Sequence, residues 1–340
     1  MPRSALLTFR MHRFEVLITT ALALLTTISA AVVFTHVTAA NPPDQCWIEN
    51  WAGMFDGEPP TPDVERTPGC QGLVQAFWPV ASEASFVASP IGVLLPFVVG
   101  LLLGVPIVGR ELELRTASLS WSLTGDRLRW LLARFVPVLG LALVAFVVAA
   151  LAIAEMARAA HPWNFMGPGR IPDLTELGSE GPTLVGRGIM ALGIALLAGA
   201  VVGRTLPALA VAAVACFVLL FGGAPLLQAQ IAERVGEWRT IDDQRPTLVA
   251  GGTGFFGWGY RDESGTVLTP QQAERLMSEQ CPECPPGDDT WLFENLTSVN
   301  RMAPIESYPV FEAAETAVTT GIGAVAMLLT FPVVSRRRPT

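Results

Sequence analysis

The chain has 340 residues, 51% of them apolar and only 15% charged, with a mean hydropathy of +0.45. A soluble domain usually carries about 25% charge, so the balance argues against an ordinary cytosolic enzyme. All 22 basic residues are arginine, which removes a P-loop lysine, a Schiff-base lysine and a Ser-Lys dyad. If the protein uses ATP, a partner must hydrolyse it. A net charge of -8 and a pI near 5.0 argue against a nucleic-acid binder.

Six stretches are long and apolar enough for a hydrocarbon core of about 30 Å, which a helix crosses in roughly 20 residues. The first runs from Phe14 to Phe34, after Arg3, Arg10 and Arg13. Val37-Thr38-Ala39 resembles a signal cleavage site, but the apolar block exceeds the roughly 7 to 15 residues of a signal h-region. The following loop is acidic, with Asp44, Glu49, Asp56, Glu58, Asp63, Glu65 and Glu83, and holds Cys46 and Cys70. Span two covers Phe86–Val108; its Gly100, Gly104 and Pro106 are candidates for close helix approach or a bend.

After it come Arg110, Glu111, Glu113, Arg115 and Thr116, then Trp121, Arg127, Arg129 and Trp130. Leu114, Ala117, Trp121, Leu128 and Leu131 fall near one helical face, with a break expected at Thr124-Gly125. The spacing predicts a short amphipathic helix over residues 110–123, lying at the membrane's inner face. It is open whether this helix docks a partner or only anchors a loop, with Trp121 as its interfacial residue. Span three covers Leu128–Ala154, span four Leu184–Val202, and span five Leu206–Phe221, with Arg204 in the turn between the last two. Pro207 suits the first turn of a helix. Glu15, Glu155 and Arg187 lie toward span ends, where a charge can reach the interface.

About 90 residues separate spans five and six, enough for a small folded domain. Leu227, Ile231, Val235 and Trp238 recur at helical spacing and predict an amphipathic surface helix. The Glu263-Ser264-Gly265 turn between Tyr260 and Leu268 predicts a hairpin. Thr269, Pro270 and Gln272 then supply an N-cap, an N1 proline and a capping box for a helix ending by Pro282. Cys281 and Cys284 follow, and Cys216 is alone inside span five. An even set of cysteines in the two outer regions suggests disulfides. Of the three pairings, Cys46–Cys70 with Cys281–Cys284 is favoured; a redox pair or half of a zinc site is the alternative for the latter. No motif for a resident metal is present. Span six covers Ala314–Val334, followed by Arg336, Arg337 and Arg338.

The arginine-rich segments alternate with the acidic loops, so the positive-inside rule puts both termini in the cytoplasm. The expected fold is an all-α polytopic membrane protein with six transmembrane helices and a small mixed α/β extracytoplasmic region between spans five and six. Its parts are residues 1–36 (tail and span one), 37–85 (outer loop), 86–221 (spans two to five), 222–313 (outer domain) and 314–340 (span six and tail).

The Gly104-x-Pro106 end of span two, the Arg110-Glu111-x-Glu113-x-x-Thr116 run, Trp121, and the Arg127-x-Arg129-Trp130 entry to span three carry a resemblance. So does the Gly203-Arg204-Thr205-x-Pro207-Ala208 turn. Together they resemble export-type ABC transporter permease subunits common in high-GC bacteria. Phe311, Glu312 and Glu315 partly match an aromatic run ending in Gln-x-x-Glu that this family carries before span six. The resemblance implies a cell-membrane permease whose inner-face helix couples to a separate ATPase subunit. Arg110, Glu111, Glu113, Thr116, Trp121 and Arg127 would then carry the coupling. It also implies a second permease copy or paralogue, ATP and magnesium bound by the partner, no cofactor in this chain, and export of cargo such as amphipathic drugs, lipids or peptides. The competing expectation is a membrane-anchored outer domain that binds a ligand or protein without transport.

Overall fold

A computed structural model describes residues 13–43, 46, 69–116, 127–160, 177, 179, 181–240, 257–283 and 290–336. Among these, six helical stretches are long and apolar enough to cross a membrane: Val16–Ala40, Pro90–Glu113, Arg127–Ala160, Gly181–Val202, Thr205–Val235 and Tyr308–Arg336. The helices that contain the first four are α1 (Arg13–Ala40), α2 (Cys70–Glu113), α3 (Arg127–Ala160) and α4 (Gly181–Val202). The fifth is composite: α5 (Thr205–Val218), a π-helical turn (Leu219–Gly223) and α6 (Ala224–Val235). Helices carry these segments because lipid offers no partner for a free peptide group, and a helix bonds its own.

Two spans start or stop elsewhere than hydropathy alone suggests. Span two is the end of a helix of 44 residues that begins at Cys70, about 66 Å at 1.5 Å per residue. Its first turns are polar enough to escape a hydropathy window, and the helix runs on through Pro79 and Pro90. They are tied to the end of α1 by the Cys46–Cys70 disulfide, with Cα atoms 5.0 Å apart, over a small core of Val37, Val74, Phe77 and Ala160. Cys281 is also disulfide-bonded, and Cys284 lies outside the described residues. Span five continues past Phe221, through the π-turn, to Val235. The helix stops there, so Trp238 is not on its apolar face as the spacing predicts but on strand β1 (Glu237–Thr240). Gly236 is the reason. Its backbone is extended, and a β-carbon there would sit 2.5 Å from the Ala232 carbonyl oxygen.

The chain divides into two compact units. The first holds spans one to five up to Phe221, and span six from Ala314. Spans two and four are its centre, each 67% buried along its most apolar window, against 17% for spans one and five. Leu103, Ile107, Leu131, Phe146, Leu192 and Leu196 form the core between α2, α3 and α4. Close approach of α2 to α4 depends on Gly100 and Gly104. A β-carbon at Gly104 would lie 2.6 Å from Ala195 Cβ, and one at Gly100 would lie 2.7 Å from Ala191 Cβ. α2 continues past Pro106 to Glu113, so the close approach lies at the two glycines.

The second unit, Ile171–Leu177 with Gly222–Ala313, contains a four-stranded antiparallel sheet in the order β1-β4-β2-β3. Strands β2 (Gly257–Arg261) and β3 (Val267–Leu268) form the predicted hairpin, and β4 (Thr297–Met302) lies between β1 and β2. Helix α7 (Pro270–Gln280) opens with the predicted capping box of Thr269 and Gln272. With α8 (Thr290–Asn295) it covers a core of Tyr260, Ala273, Leu292 and Leu296. Helix α9 (Tyr308–Arg336) completes the chain's described elements.

The hairpin turn is held by Asp262, whose carboxylate accepts from Ser264 Oγ at 2.6 Å and from the Thr266 amide at 2.8 Å. The Ser264 hydroxyl, then the turn's amides, hold its carboxyl below the ordinary value. A depressed folded pKa means that the carboxylate contributes stability above its unfolded value of about 3.9, and that this is lost as pH falls through the folded value. An NMR titration of the Thr266 amide should therefore show a midpoint below the ordinary carboxylate range, absent in Asp262→Asn. For the bundle, Gly104→Val should lower stability by about 1–3 kcal/mol through overpacking. Gly140→Ala, at a helical site with nothing within 4 Å, should be neutral or stabilising by up to about 1 kcal/mol. Thermal unfolding of the two variants in detergent compares them.

Candidate functional site

The segment that the resemblance singles out begins as the last turn of α2 rather than as a separate helix. Arg110–Glu113 remain in α2. The Leu114 amide makes the last helical bond, to the Arg110 carbonyl at 3.0 Å, and the helix ends because Arg115 turns left-handed, with φ 56°. Glycine usually holds that position, and another L-residue there costs on the order of 1 kcal/mol. The chain then turns, with the Arg115 amide on the Leu112 carbonyl at 3.2 Å and the Thr116 hydroxyl on the Glu111 carbonyl at 3.4 Å. Arg110, Arg115 and Thr116 are exposed. Trp121 and the rest of the predicted 110–123 helix lie outside the described residues.

The two glutamates do different work from the solvated charges of a docking surface. Glu111 is only 4% exposed and forms an ion pair with Arg134 of α3. The Arg134 guanidinium stacks over the buried ring of Trp130, 4.6 Å from its centroid, a cation–π contact. Glu111 Oε1 is buried without a hydrogen-bond partner, so the Arg134 bond on the other oxygen is the main compensation for burying this charge. Glu113, on the nearly opposite face of the helix, is exposed and reaches a different helix. Its Oε2 accepts from the Thr205 amide at 2.9 Å and the Thr205 hydroxyl at 2.7 Å.

That second contact explains the Gly203-Arg204-Thr205-x-Pro207 turn. Gly203 takes a positive φ of 68°, and Arg204, the N-cap residue of α5, makes no side-chain cap. Glu113 of α2 therefore caps α5 from outside, placing a carboxylate at the positive end of a helix. A third tie joins the start of α3 to the end of α9, where Arg127 Nη1 donates to the Ser335 carbonyl at 2.7 Å. So the structure binds the last turn of span two to spans three and five, and the first turn of span three to span six.

Arg134 and Thr205 are the partners that the sequence reading did not pair. Arg134 carries a detectable signal, a charge inside an apolar span, but its partner is 23 residues away and beyond any helical periodicity. Arg187 is a second correction. It does not reach an interface but is 6% exposed and pairs with Glu315, 1% exposed. Its Nε donates to Glu315 Oε1 at 2.8 Å. Among the described residues no cluster of three or more His, Cys, Asp or Glu could hold a metal.

Removing one partner of the inner pair should be costlier than removing the exposed cap. Glu111→Gln leaves Arg134 buried without its counter-charge and should destabilise by about 3 kcal/mol. Glu113→Gln should cost distinctly less. Unfolding midpoints of the two purified variants test the ranking.

Residues 16–228 match the family model described as ABC-2 membrane transporter related. No curated protein and no solved structure matches the chain. The match covers the first four spans, the fifth as far as Gln228, the last turn of α2 and the Gly203–Pro207 turn. Membership implies an ABC ATPase partner and a lipid bilayer around the helices, and the membrane subunits of this class are generally non-catalytic. With more than half of its length matched and six apolar helices to its name, the chain belongs to the ABC-2 membrane transporter related family, as a multi-pass ABC transporter permease.

Proposed function

We propose that this permease is the membrane half of an ATP-driven exporter in the cytoplasmic membrane. Both termini face the cytoplasm, and the second unit faces outward. The bland alternative, a membrane-anchored outer domain that only binds, is supported by the separate core of that unit but leaves the inner ties without a purpose.

The observation that carries the reading is the fixed last turn of α2. Through Glu111 to Arg134 and Glu113 to Thr205, a displacement of residues 110–116 pulls on spans three and five together. Rigid elements moving as bodies are how such a device converts a partner's closure into altered access between faces. Arg110, Thr116, Trp121 and Arg127 form the partner-facing part, where an aromatic such as Trp121 supplies the anchor typical of interfaces. Glu111 belongs to the transmission side instead, because its carboxylate is occupied within the bundle. ATP and magnesium are bound by the ATPase. Two permeases, identical or paralogous, complete the complex, and an apolar path between spans suits amphipathic cargo.

The test is reconstitution with the Walker-type ATPase expected from the neighbouring reading frame. The two should co-purify, and the permease should stimulate ATP hydrolysis. Trp121→Ala with Arg110→Glu should reduce that stimulation at least tenfold with membrane insertion unchanged. Full stimulation in that variant, or no association with any candidate ATPase, would leave the binding-only alternative standing.

A further inference from the structure

Spans four and six meet through two kinds of contact that differ in how they respond to water. At Gly193 and Gly323 the backbones touch, and a β-carbon on Gly323 would sit 2.5 Å from the Ile189 carbonyl oxygen. Six and eight residues nearer the helix starts lie Arg187 and Glu315, paired and buried. Around them runs a strip of hydroxyls. Thr183 and Thr316 are hydrogen-bonded to each other at 3.2 Å, and Thr319 Oγ donates to the Glu315 carbonyl at 2.7 Å.

We propose that Arg187 and Glu315 are a latch between spans four and six that opens during the transport cycle, with the Gly193–Gly323 contact as its fulcrum. The inference rests on the permease reading, but its first test below does not need the ATPase. The glycine contact already supplies the close packing that joins helices in lipid, so adhesion alone does not call for a charged pair. Apolar side chains of similar volume would hold two helices at least as well, since burying charges carries a large desolvation cost. What a charged pair adds is reversibility. When water enters, both ions and the threonine hydroxyls recover their hydration, so separating them costs far less than exposing apolar surface of the same size. An interface that alternates between dry and wet is where that property is useful. Ionisable groups within spans are otherwise rare and lie on functional paths.

The position fits the role. α4 and α9 begin at one end of the bundle, whereas α2 ends and α3 begins at the other. The Glu111–Arg134 and Arg187–Glu315 pairs therefore lie toward opposite ends, one for each opening that alternating access requires. The glycine contact is about 9 Å along α4 and about 12 Å along α9 from the pair, so a tilt there separates the pair while the backbones stay in contact at the glycines.

The first experiment uses the chain alone in proteoliposomes. Thr183→Cys, in a Cys216→Ala background, is labelled with N-ethylmaleimide, which needs a water-exposed thiol. With the pair intact labelling should be slow. Adding Glu315→Gln should speed it at least tenfold, and Arg187→Glu with Glu315→Arg should return it to within threefold of the starting rate. An unchanged rate in Glu315→Gln overturns the latch. The second experiment covers the case in which Glu315→Gln does not fold. The Thr183 and Thr316 oxygens are close enough for cysteines at both sites to bridge, so Thr183→Cys with Thr316→Cys is oxidised by copper phenanthroline. MgATP hydrolysis by the reconstituted complex should fall at least tenfold and recover with reductant, while the unaltered protein is insensitive to either reagent. Undiminished hydrolysis in the bridged protein overturns the proposal. Slow, pair-dependent labelling together with no ATP-driven activity in the unaltered complex would instead overturn the exporter reading and keep the latch.

Discussion

In lipid there is no hydrophobic force between helices, because acyl chains are as apolar as leucine side chains. Association rests on how closely backbones pack and on polar groups that find each other. This bundle meets the first condition by leaving out side chains. Gly100 and Gly104 admit Ala191, Leu192 and Ala195 of α4, and Gly193 meets Gly323. The result is a central pair, spans two and four, with span six laid against span four. The outer faces of spans one and five carry large exposed apolar residues such as Leu24, Leu25, Val214 and Phe217, as helices bordering lipid should.

The second condition is met by a few polar contacts, nearly all within two turns of a helix end. Glu111–Arg134, Glu113–Thr205 and Arg127–Ser335 lie at one end, and Arg187–Glu315 and Thr183–Thr316 at the other. The middle of the bundle is left to glycine, alanine and aliphatic packing. This division has a mechanical sense. Close small-residue contacts are stiff and nearly invariant under small tilts, whereas ion pairs and hydroxyls can exchange partners with water at low cost. The middle of the bundle is thus its stiffer part, and its ends are the part that water can loosen.

How much of this could be read from residues depends on how local each cause is. The hairpin and α7 were legible because their determinants are neighbours: Gly265 in the turn, then Thr269, Pro270 and Gln272. The spans were legible because length and hydropathy suffice. Trp238 was misplaced because helical spacing continues through Gly236 while the backbone does not. The start of α2 was missed because helix continuity needs no apolar residues once the Cys46–Cys70 bond and the Phe77 cluster hold the first turns. The ties between helices were least legible. The Arg-Glu-x-Glu run marks the end of α2, but a motif cannot say that one glutamate faces inward to Arg134 and the next caps a helix 92 residues away. Those partners are chosen by the packing of α2 on α3 and α4, which periodicity does not encode.

The two glutamates also bear on why the α2 terminus has its form. Residues 111 and 113 are two apart on a helix, about 200° around its axis at 3.6 residues per turn, so their side chains leave on nearly opposite faces. One helix end can thus bind span three on one side and span five on the other only if it stays helical through both positions and stops at once afterwards. Arg115 in the left-handed region provides that stop. Glycine would stop the helix with less strain but would leave the next residues freer to swing. A strained, side-chain-bearing residue joins the stop to Thr116, whose hydroxyl returns to the Glu111 carbonyl. The turn is therefore stiff where it holds spans three and five together.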